Sequence, residues 1–233
     1  GLGLARALAQ RGWAVALPDL RGHGRSEGAR GHSNGLKEVL RDLADVQDHL
    51  AYRQPEAPKV LVGHGLGAIW ALAFASERPG DVAALVLLAP LWEPHFELPR
   101  AAGGMMKLFK KVGPESAGSI GWRPEQLTSD AAEQRARSGD TLVHDVITLR
   151  AGEEALASAA KYVARIGELS IPVLVLHGAD DPFTPSARSN ALRGKQLETH
   201  VVAGARHDLL HDTSAPQSLA RIADWLERAV PRT

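Results

Sequence analysis

Hydrophobic residues form two patterns along this chain: short continuous runs, and longer stretches with helical periodicity. The continuous runs predict buried strands, and they cover residues 13–17, 59–62, 82–88, 172–176 and 199–202. In the clearest periodic stretch, Lys37–Arg53, hydrophobic residues recur with a spacing that places them on one buried face of a helix. Helices are also predicted over residues 1–11, ended by Gly12, and over 68–75 and 153–166.

Strands that alternate with helices are typical of an α/β fold with a mostly parallel sheet. The alternation stops at Leu91, where Pro and Gly become frequent, and resumes near Leu169. The pattern therefore predicts a core formed by residues 1–90 and 170–233, interrupted by an insertion over residues 91–169. A chain of 233 residues with 44% hydrophobic residues suits one globular domain with a sizeable core.

The turn between the strand at 59–62 and the helix at 68–75 has glycine at Gly63, Gly65 and Gly67. A strand, a sharp turn with small residues at fixed offsets and a helix form the context of a nucleophile elbow, whose motif is G-x-S-x-G. The middle residue of that motif carries the attacking oxygen, and here it is Gly65. The chain therefore has the surroundings of a serine hydrolase nucleophile without the oxygen.

Glycine at this position has a conformational consequence. The elbow holds its central residue in a strained backbone conformation, which costs on the order of 1–3 kcal/mol for a residue with a Cβ. Glycine adopts such dihedral angles without that penalty. We therefore expect that Gly65 removes the reaction while it relaxes the fold.

An acid and a histidine follow two later strands. The strand at 172–176 leads to Asp180 and Asp181, and the strand at 199–202 is followed by His207 and His211. This is the chain order of the α/β-hydrolase triad, in which the acid orients the imidazole and the imidazole takes the proton of the nucleophile. The residues alone leave Asp180 open beside Asp181, and His211 open beside His207.

Four motifs in this order resemble the α/β-hydrolase superfamily, within it the monoacylglycerol lipase and lysophospholipase-like branch. Residues 18–28 look like P-D-x-R-G-H-G-x-S-x-G, and residues 63–68 resemble G-H-S-M-G-G except at Gly65, Leu66 and Ala68. Residues 177–181 resemble H-G-x-x-D, and residues 204–207 resemble G-x-x-H. The resemblance implies an α/β-hydrolase fold, and it places the catalytic acid on Asp181 and the catalytic histidine on His207.

The resemblance also implies roles for other residues. The backbone N–H of Leu66 would donate to the oxyanion, and residues 91–169 would form the cap or lid over the site, with residues 140–144 similar to a D-P-L-V stretch of the family. His23 and His64 are expected to stabilise loops, and Asp19 is expected to have a structural role.

The start of the chain differs from the family pattern. The family's second oxyanion donor lies in a loop after its third strand, and that loop and the first three strands have no counterpart before Gly1. Their loss would leave unpaired strand edges inside the sheet. We therefore expect an N-terminally truncated fragment of a longer protein, in preference to a rebuilt sheet or a strand supplied by a partner.

The composition argues against several classes of partner. The formal net charge is zero, from 27 basic and 27 acidic residues, and no basic patch indicates nucleic acid. The absence of cysteine excludes disulfides and thiol catalysis. The 10 histidines are scattered without ligand spacing, so no metal and no other cofactor is expected. No signal peptide or long apolar run is found, and we expect a cytoplasmic protein.

One basic and apolar stretch, Met105–Lys111, lies in the predicted insertion. Its Met, Leu and Phe residues with three lysines could contact a membrane surface weakly. The alternative, which we favour, is an ordinary amphipathic helix of the cap packed on the core.

Two classes of function follow from these residues. The first is the scaffold of a carboxylesterase, lysophospholipase or monoacylglycerol lipase-like enzyme, which acts on a small acyl ester or lipid and is inactive with Gly65. The second is a non-catalytic ligand-binding homologue. Such a protein does not need an acid and a histidine at the triad positions, so the residues favour the first class. Water activated directly by Asp181 and His207 is a third, chemically allowed route.

Overall fold

The computed structural model of the chain describes residues 1–95 and 116–230. The α-helices, in chain order, are α1 (Leu2–Gln10), α2 (Leu36–Arg53), α3 (Leu66–Glu77), α4 (Pro124–Leu127), α5 (Ala131–Gly139), α6 (Leu149–Val163), α7 (Ser186–Ala191) and α8 (Ala215–Ala229). The strands are β1 (Val60–His64), β2 (Ala84–Leu88), β3 (Ala117–Ser119), β4 (Val146–Thr148), β5 (Val173–Gly178) and β6 (Leu197–Val202). A short 3₁₀ helix covers Ile166–Glu168.

Among the described residues, the main sheet has four strands in the order β1-β2-β5-β6, and every neighbouring pair is parallel. Parallel strands cannot be joined by tight turns, so each connection passes through a helix. The carboxyl ends of β1, β5 and β6 therefore meet at one edge of the sheet. The predicted α/β class with a mostly parallel sheet is confirmed.

The two central strands are buried on both faces. Leu85 and Leu87 of β2 pack with α2, α3 and α6 on one face, and Val86 and Leu88 pack with α1 and α8 on the other. Because side chains alternate across a strand, a strand that is covered on both faces reads as a continuous hydrophobic run. This is why β2 and β5 are predictable from the sequence.

Helix α3 lies deepest in the fold. Its residues from Ala68 to Ala75 are all buried, so the helix is apolar around its whole circumference. A helix of this kind packs only in the interior of a domain. Its N-terminus, which follows Gly65 directly, is thereby fixed against the sheet.

The predicted strand at residues 13–17 is wrong. Among the described residues no backbone ladder forms along this segment, and Val15 and Leu17 are 40% and 53% exposed. An extended segment becomes a strand only when a neighbouring backbone exchanges hydrogen bonds with it. Within the described chain, β1 is an edge strand that pairs with β2, and its Val62 is 38% exposed.

The predicted insertion contains elements that the sequence did not indicate. Strands β3 and β4 form a small antiparallel pair, and α4 and α5 lie between them in the chain. The helix predicted over 153–166 begins earlier, at Leu149, where the Thr148 hydroxyl caps the N–H of Ala151 at 3.3 Å, and it ends at Val163. The division into core and cap remains a prediction, and the stretch Met105–Lys111 lies outside the described residues.

Among the described residues, no helix is both long enough and apolar enough to cross a lipid bilayer.

Changing either of two glycines of the β1–α3 turn to alanine should have very different effects on the free energy of unfolding. A Cβ on Gly63 would lie 2.4 Å from the carbonyl oxygen of Gly67, whereas a Cβ on Gly67 would meet nothing within 4 Å. We expect Gly63→Ala to lower the free energy of unfolding by about 1–3 kcal/mol through overpacking. Gly67→Ala, inside a helix, should be neutral or raise it by about 0.5–1 kcal/mol.

Urea unfolding of the two variants beside the parent measures both changes. Equal stabilities of the two alanine variants would contradict the close contact between β1 and α3.

Candidate active site

The site lies at the carboxyl edge of the sheet, where three elements end close together. Gly65 follows β1, Asp181 follows β5 and His207 follows β6. Open parallel sheets commonly place their functional residues at this edge, because the loops after the strands converge there. The structure thus brings together the three positions that the sequence singled out.

Gly65 has the backbone conformation of a sharp elbow, with φ 57° and ψ −118°. Its N–H donates to the carbonyl of Leu88 at 2.9 Å, and its own carbonyl accepts the N–H of Ala68 at 3.2 Å. A Cβ built on Gly65 would lie 3.1 Å from Nε2 of His207. A side-chain oxygen at this position would therefore be within hydrogen-bond reach of the imidazole.

The His207 imidazole is held by Asp181. Its Nδ1–H donates to Oδ2 of the carboxylate at 2.8 Å, and both side chains are completely buried. The other carboxylate oxygen accepts the backbone N–H groups of Phe183 and Thr184 at 2.8 and 3.3 Å. Burial raises the pKa of Asp181, but hydrogen bonds from His177 and His207 outweigh it, so this pKa lies well below its ordinary value.

The carboxylate fixes the tautomer of His207. An ionised carboxylate only accepts hydrogen bonds, so the proton resides on Nδ1 and the lone pair on Nε2. Nε2 is buried and has no hydrogen-bond partner among the described residues. A buried acceptor without a donor is costly, by about 1–3 kcal/mol, and here it faces the position where Gly65 has no side chain.

The alternatives Asp180 and His211 do not join this arrangement. Asp180 is exposed at the turn. His211 contacts the carboxylate of Asp208 at 3.0 Å.

Behind Asp181 lies a buried hydrogen-bond chain that the sequence reasoning missed. His177 Nε2–H faces the carbonyl of Thr184 at 3.1 Å and Oδ2 of Asp181 at 3.3 Å, while its Nδ1 accepts from the Ser189 hydroxyl at 2.7 Å. The Ser189 oxygen accepts the indole N–H of Trp92 at 2.8 Å. The only sequence signal for this set of hydrogen bonds was the histidine of the H-G-x-x-D motif. Nothing in the sequence pointed to Ser189 or Trp92, because Ser189 lies in α7 and Trp92 in the segment after β2, far apart in the chain.

His64 supports the loop of His207 from the opposite side. Its Nε2–H donates to the carbonyl of His207 at 3.0 Å, and the two ring centroids are 4.7 Å apart. Burial, and after it the charge of His207, lowers the pKa of His64 to about 3. His64 is therefore neutral at physiological pH and acts as a hydrogen-bond donor.

The R-G-H-G loop folds around Asp19, whose carboxylate accepts the N–H of Arg25 at 3.0 Å. His23 stacks on His144 with ring centroids 4.9 Å apart, and His144 Nε2–H donates to the carbonyl of Gly22 at 2.9 Å. This loop therefore connects the core to the segment predicted as the cap.

An apolar recess opens next to the elbow. It is lined by Leu66, Leu91, Pro94, Ile147, Gly152, Ala155 and Leu156. Within the described ranges, no group of three or more His, Asp or Glu side chains is placed to hold a metal ion.

Comparison with known proteins gives consistent results. Residues 2–214 match the family described as serine aminopeptidase, S33. The monoacylglycerol lipase of Mycolicibacterium smegmatis is 26% identical over 233 residues, covering 96% of this chain and 81% of that protein. The monoglyceride lipase of Homo sapiens is 30% identical over 216 residues, covering 88% of this chain and 70% of that protein.

Among solved structures, the Paleococcus ferrophilus monoacylglycerol lipase superposes with a TM-score of 0.81 at 25% identity, covering 97% of this chain and 88% of that one. A soluble variant of the Saccharomyces cerevisiae monoglyceride lipase, solved with a substrate analog, has the same fold, with a TM-score of 0.77. The predicted α/β-hydrolase fold and the predicted resemblance to monoacylglycerol lipases are confirmed.

The low pKa of His64 predicts a pH-dependent stability. Between the ordinary histidine pKa of about 6.5 and the folded-state pKa of about 3, the unfolded chain binds a proton that the folded chain does not. The free energy of unfolding should therefore fall as the pH falls below about 6.5, with a contribution from His64 of up to about 1.4 kcal/mol per pH unit.

His64→Gln keeps an N–H donor and removes this titration, so urea unfolding between about pH 7 and pH 5 should show a shallower slope. His49→Gln on the exposed face of α2 is the matched control and should keep the parent slope. An unchanged slope in His64→Gln would contradict the assignment.

Proposed function

Since this chain belongs to the family of serine aminopeptidase S33 and to its monoacylglycerol lipase-like branch, we propose that it is the scaffold of a carboxylic ester hydrolase. In this proposal Gly65 occupies the nucleophile position, His207 is the general base and Asp181 orients it. The observation that carries it is the 3.1 Å between His207 Nε2 and a Cβ built on Gly65.

With a serine at position 65, the arrangement would support acyl transfer in two steps. His207 Nε2 would take the hydroxyl proton while the oxygen forms a bond to the ester carbonyl carbon. The N–H of Leu66, the first residue of α3, would donate to the oxyanion. The leaving alcohol would then take the proton from His207, and water would hydrolyse the acyl-enzyme by the same route.

With glycine at position 65 the first step has no nucleophile. The Gly65 position offers no side-chain oxygen to His207 Nε2, which has no hydrogen-bond partner among the described residues. We therefore infer that the chain as written does not turn over esters at an enzymatic rate.

The substrate class in this proposal is a monoacylglycerol or another small acyl ester. The recess beside Leu66 is lined by apolar side chains, which match the polarity of an acyl chain. The related proteins from Mycolicibacterium smegmatis and Homo sapiens are named as lipases of this substrate class. Residues 91–169 would serve as the cap, because α6 supplies Gly152, Ala155 and Leu156 to the recess wall.

The alternative is a homologue that binds a ligand without chemistry. It would not need the buried hydrogen bond between Asp181 and His207, which costs the desolvation of a carboxylate. The retained pair therefore favours a hydrolase scaffold.

Replacing the missing oxygen tests the proposal. We expect Gly65→Ser to hydrolyse a short-chain chromogenic ester and a monoacylglycerol at least on the order of 10³-fold faster than the parent chain. Gly65→Ala adds the Cβ without the oxygen and should stay inactive. His207→Ala in the Gly65→Ser background should remove the gain. Folded but inactive Gly65→Ser protein would overturn the proposal and favour ligand binding.

The same substitution should have a cost in stability. A serine at φ 57° and ψ −118° carries a Cβ in a region that L-residues rarely adopt. We expect this strain to lower the free energy of unfolding by about 1–3 kcal/mol in Gly65→Ala, and by less in Gly65→Ser, whose hydroxyl can donate to His207 Nε2. Gly65→Ala protein that is as stable as the parent in urea would show that the elbow is not strained, because alanine adds the Cβ without a hydrogen-bond donor.

A further inference from the structure

The loop that carries His207, residues 204–213, is bound along its length to residues 123–139. The N–H of Asp208 donates to the carbonyl of Leu127 at 2.8 Å, and the Thr128 hydroxyl donates to the carbonyl of His211 at 2.7 Å. Asp208 also pairs with the guanidinium of Arg137 on α5. These contacts join two segments that are about 80 residues apart in the chain.

Asp212 is the most heavily bonded side chain of this contact. Its carboxylate accepts the Ser129 N–H at 3.0 Å, the Ser129 hydroxyl at 2.6 Å and the Arg206 N–H at 3.2 Å. Its own loop adds the hydroxyl of Thr213 at 3.0 Å. Asp212 is only 3% exposed. Burial raises its pKa, and the bonds from Ser129 and Arg206 reverse this, so the pKa of Asp212 is below its ordinary value.

Arg206, the residue directly before His207, completes the contact. Its guanidinium donates to the carbonyl of Thr128 at 3.1 Å and to the carbonyl of Glu125. Asp212 thus accepts a hydrogen bond from the backbone of Arg206. It also accepts hydrogen bonds from Ser129, which follows the Thr128 carbonyl that the Arg206 side chain contacts. The backbone on either side of His207 is fixed from outside the core.

We propose that Asp212 is a positioning residue for His207, which clamps the histidine loop onto residues 123–139 so that Nε2 stays aimed at position 65. The inference rests on the proposed function for its catalytic part. Residues 204–213 contain no helix or strand of their own, so their conformation depends on partners elsewhere. Trp122 directly precedes residues 123–139, and its ring centroid lies 6.2 Å from that of His207.

This clamp makes residues 123–139 part of the catalytic framework. A hydrolase whose cap is a freely moving lid would keep the same base geometry with the cap displaced. Here the displacement of Ser129 would remove two of the donors to Asp212. The orientation of the base then depends on the cap being in place.

Hydrogen exchange of the parent chain tests the clamp without reference to activity. Asp212→Ala should raise the exchange rates of residues 204–213 and 123–130 together, by about tenfold or more, while β2 and β5 stay protected. Asp212→Asn should restore most of the protection, because its amide keeps an oxygen for the two backbone N–H groups and an NH₂ for the Ser129 hydroxyl. Asp224→Ala removes an exposed carboxylate that pairs with Arg11 at 2.6 Å and should change neither segment.

Kinetics in the Gly65→Ser background test the positioning. We expect Asp212→Ala to lower kcat by about tenfold or more with KM nearly unchanged, since a small misplacement of a catalytic group is costly. Asp212→Asn should recover most of kcat. Ser129→Ala removes only the hydroxyl donor and should give a smaller loss of kcat. It replaces Asp212→Ala in this test if Asp212→Ala does not fold.

Two results would overturn the inference. One is a loss of protection spread evenly over the whole chain in Asp212→Ala and Ser129→Ala, which indicates a merely structural role. The other is unchanged kcat in an active Gly65→Ser background. An inactive Gly65→Ser protein counts against the proposed function instead, and the exchange data then decide the clamp alone.

Discussion

The hydrogen bond from His207 Nδ1 to the Asp181 carboxylate is the interaction on which the site depends. Both side chains are buried, so neither group can exchange its partner for water. The carboxylate fixes one tautomer of the imidazole and leaves the lone pair on the opposite nitrogen. The backbone N–H groups of Phe183 and Thr184, together with His177, keep the carboxylate ionised in this buried place.

The second constraint is the close approach of α3 to β1. The glycine at position 63 and the left-handed conformation at Gly65 allow the chain to pass from strand to helix within the length of the turn. The same geometry aims position 65 at the imidazole. In the proposed function, the turn that would hold a nucleophile is therefore a property of the backbone, and it forms with glycine at position 65.

The surroundings of the imidazole come from three sources. The core supplies Asp181 after β5, the elbow supplies His64, and residues 123–139 hold the loop through Ser129 and Asp212. Each source lies in a different part of the chain. Such polar groups are stabilising only when all of their partners are in place, since a buried polar group without a partner costs about 1–3 kcal/mol. The site is consequently a product of the whole fold.

The sequence by itself determined the class of the sheet and the elbow, and it limited the acid to Asp180 or Asp181 and the histidine to His207 or His211. Strands buried on both faces and short motifs are local signals, so β2, β5 and the turn at Gly65 could be recognised without coordinates. The strand predicted over residues 13–17 is wrong, because hydrophobicity does not show whether a neighbouring backbone is available for pairing. Only the tertiary structure decided between Asp180 and Asp181 and brought in His177, Ser189 and Asp212. These contacts join residues far apart in the chain, and no local pattern encodes a distance between them.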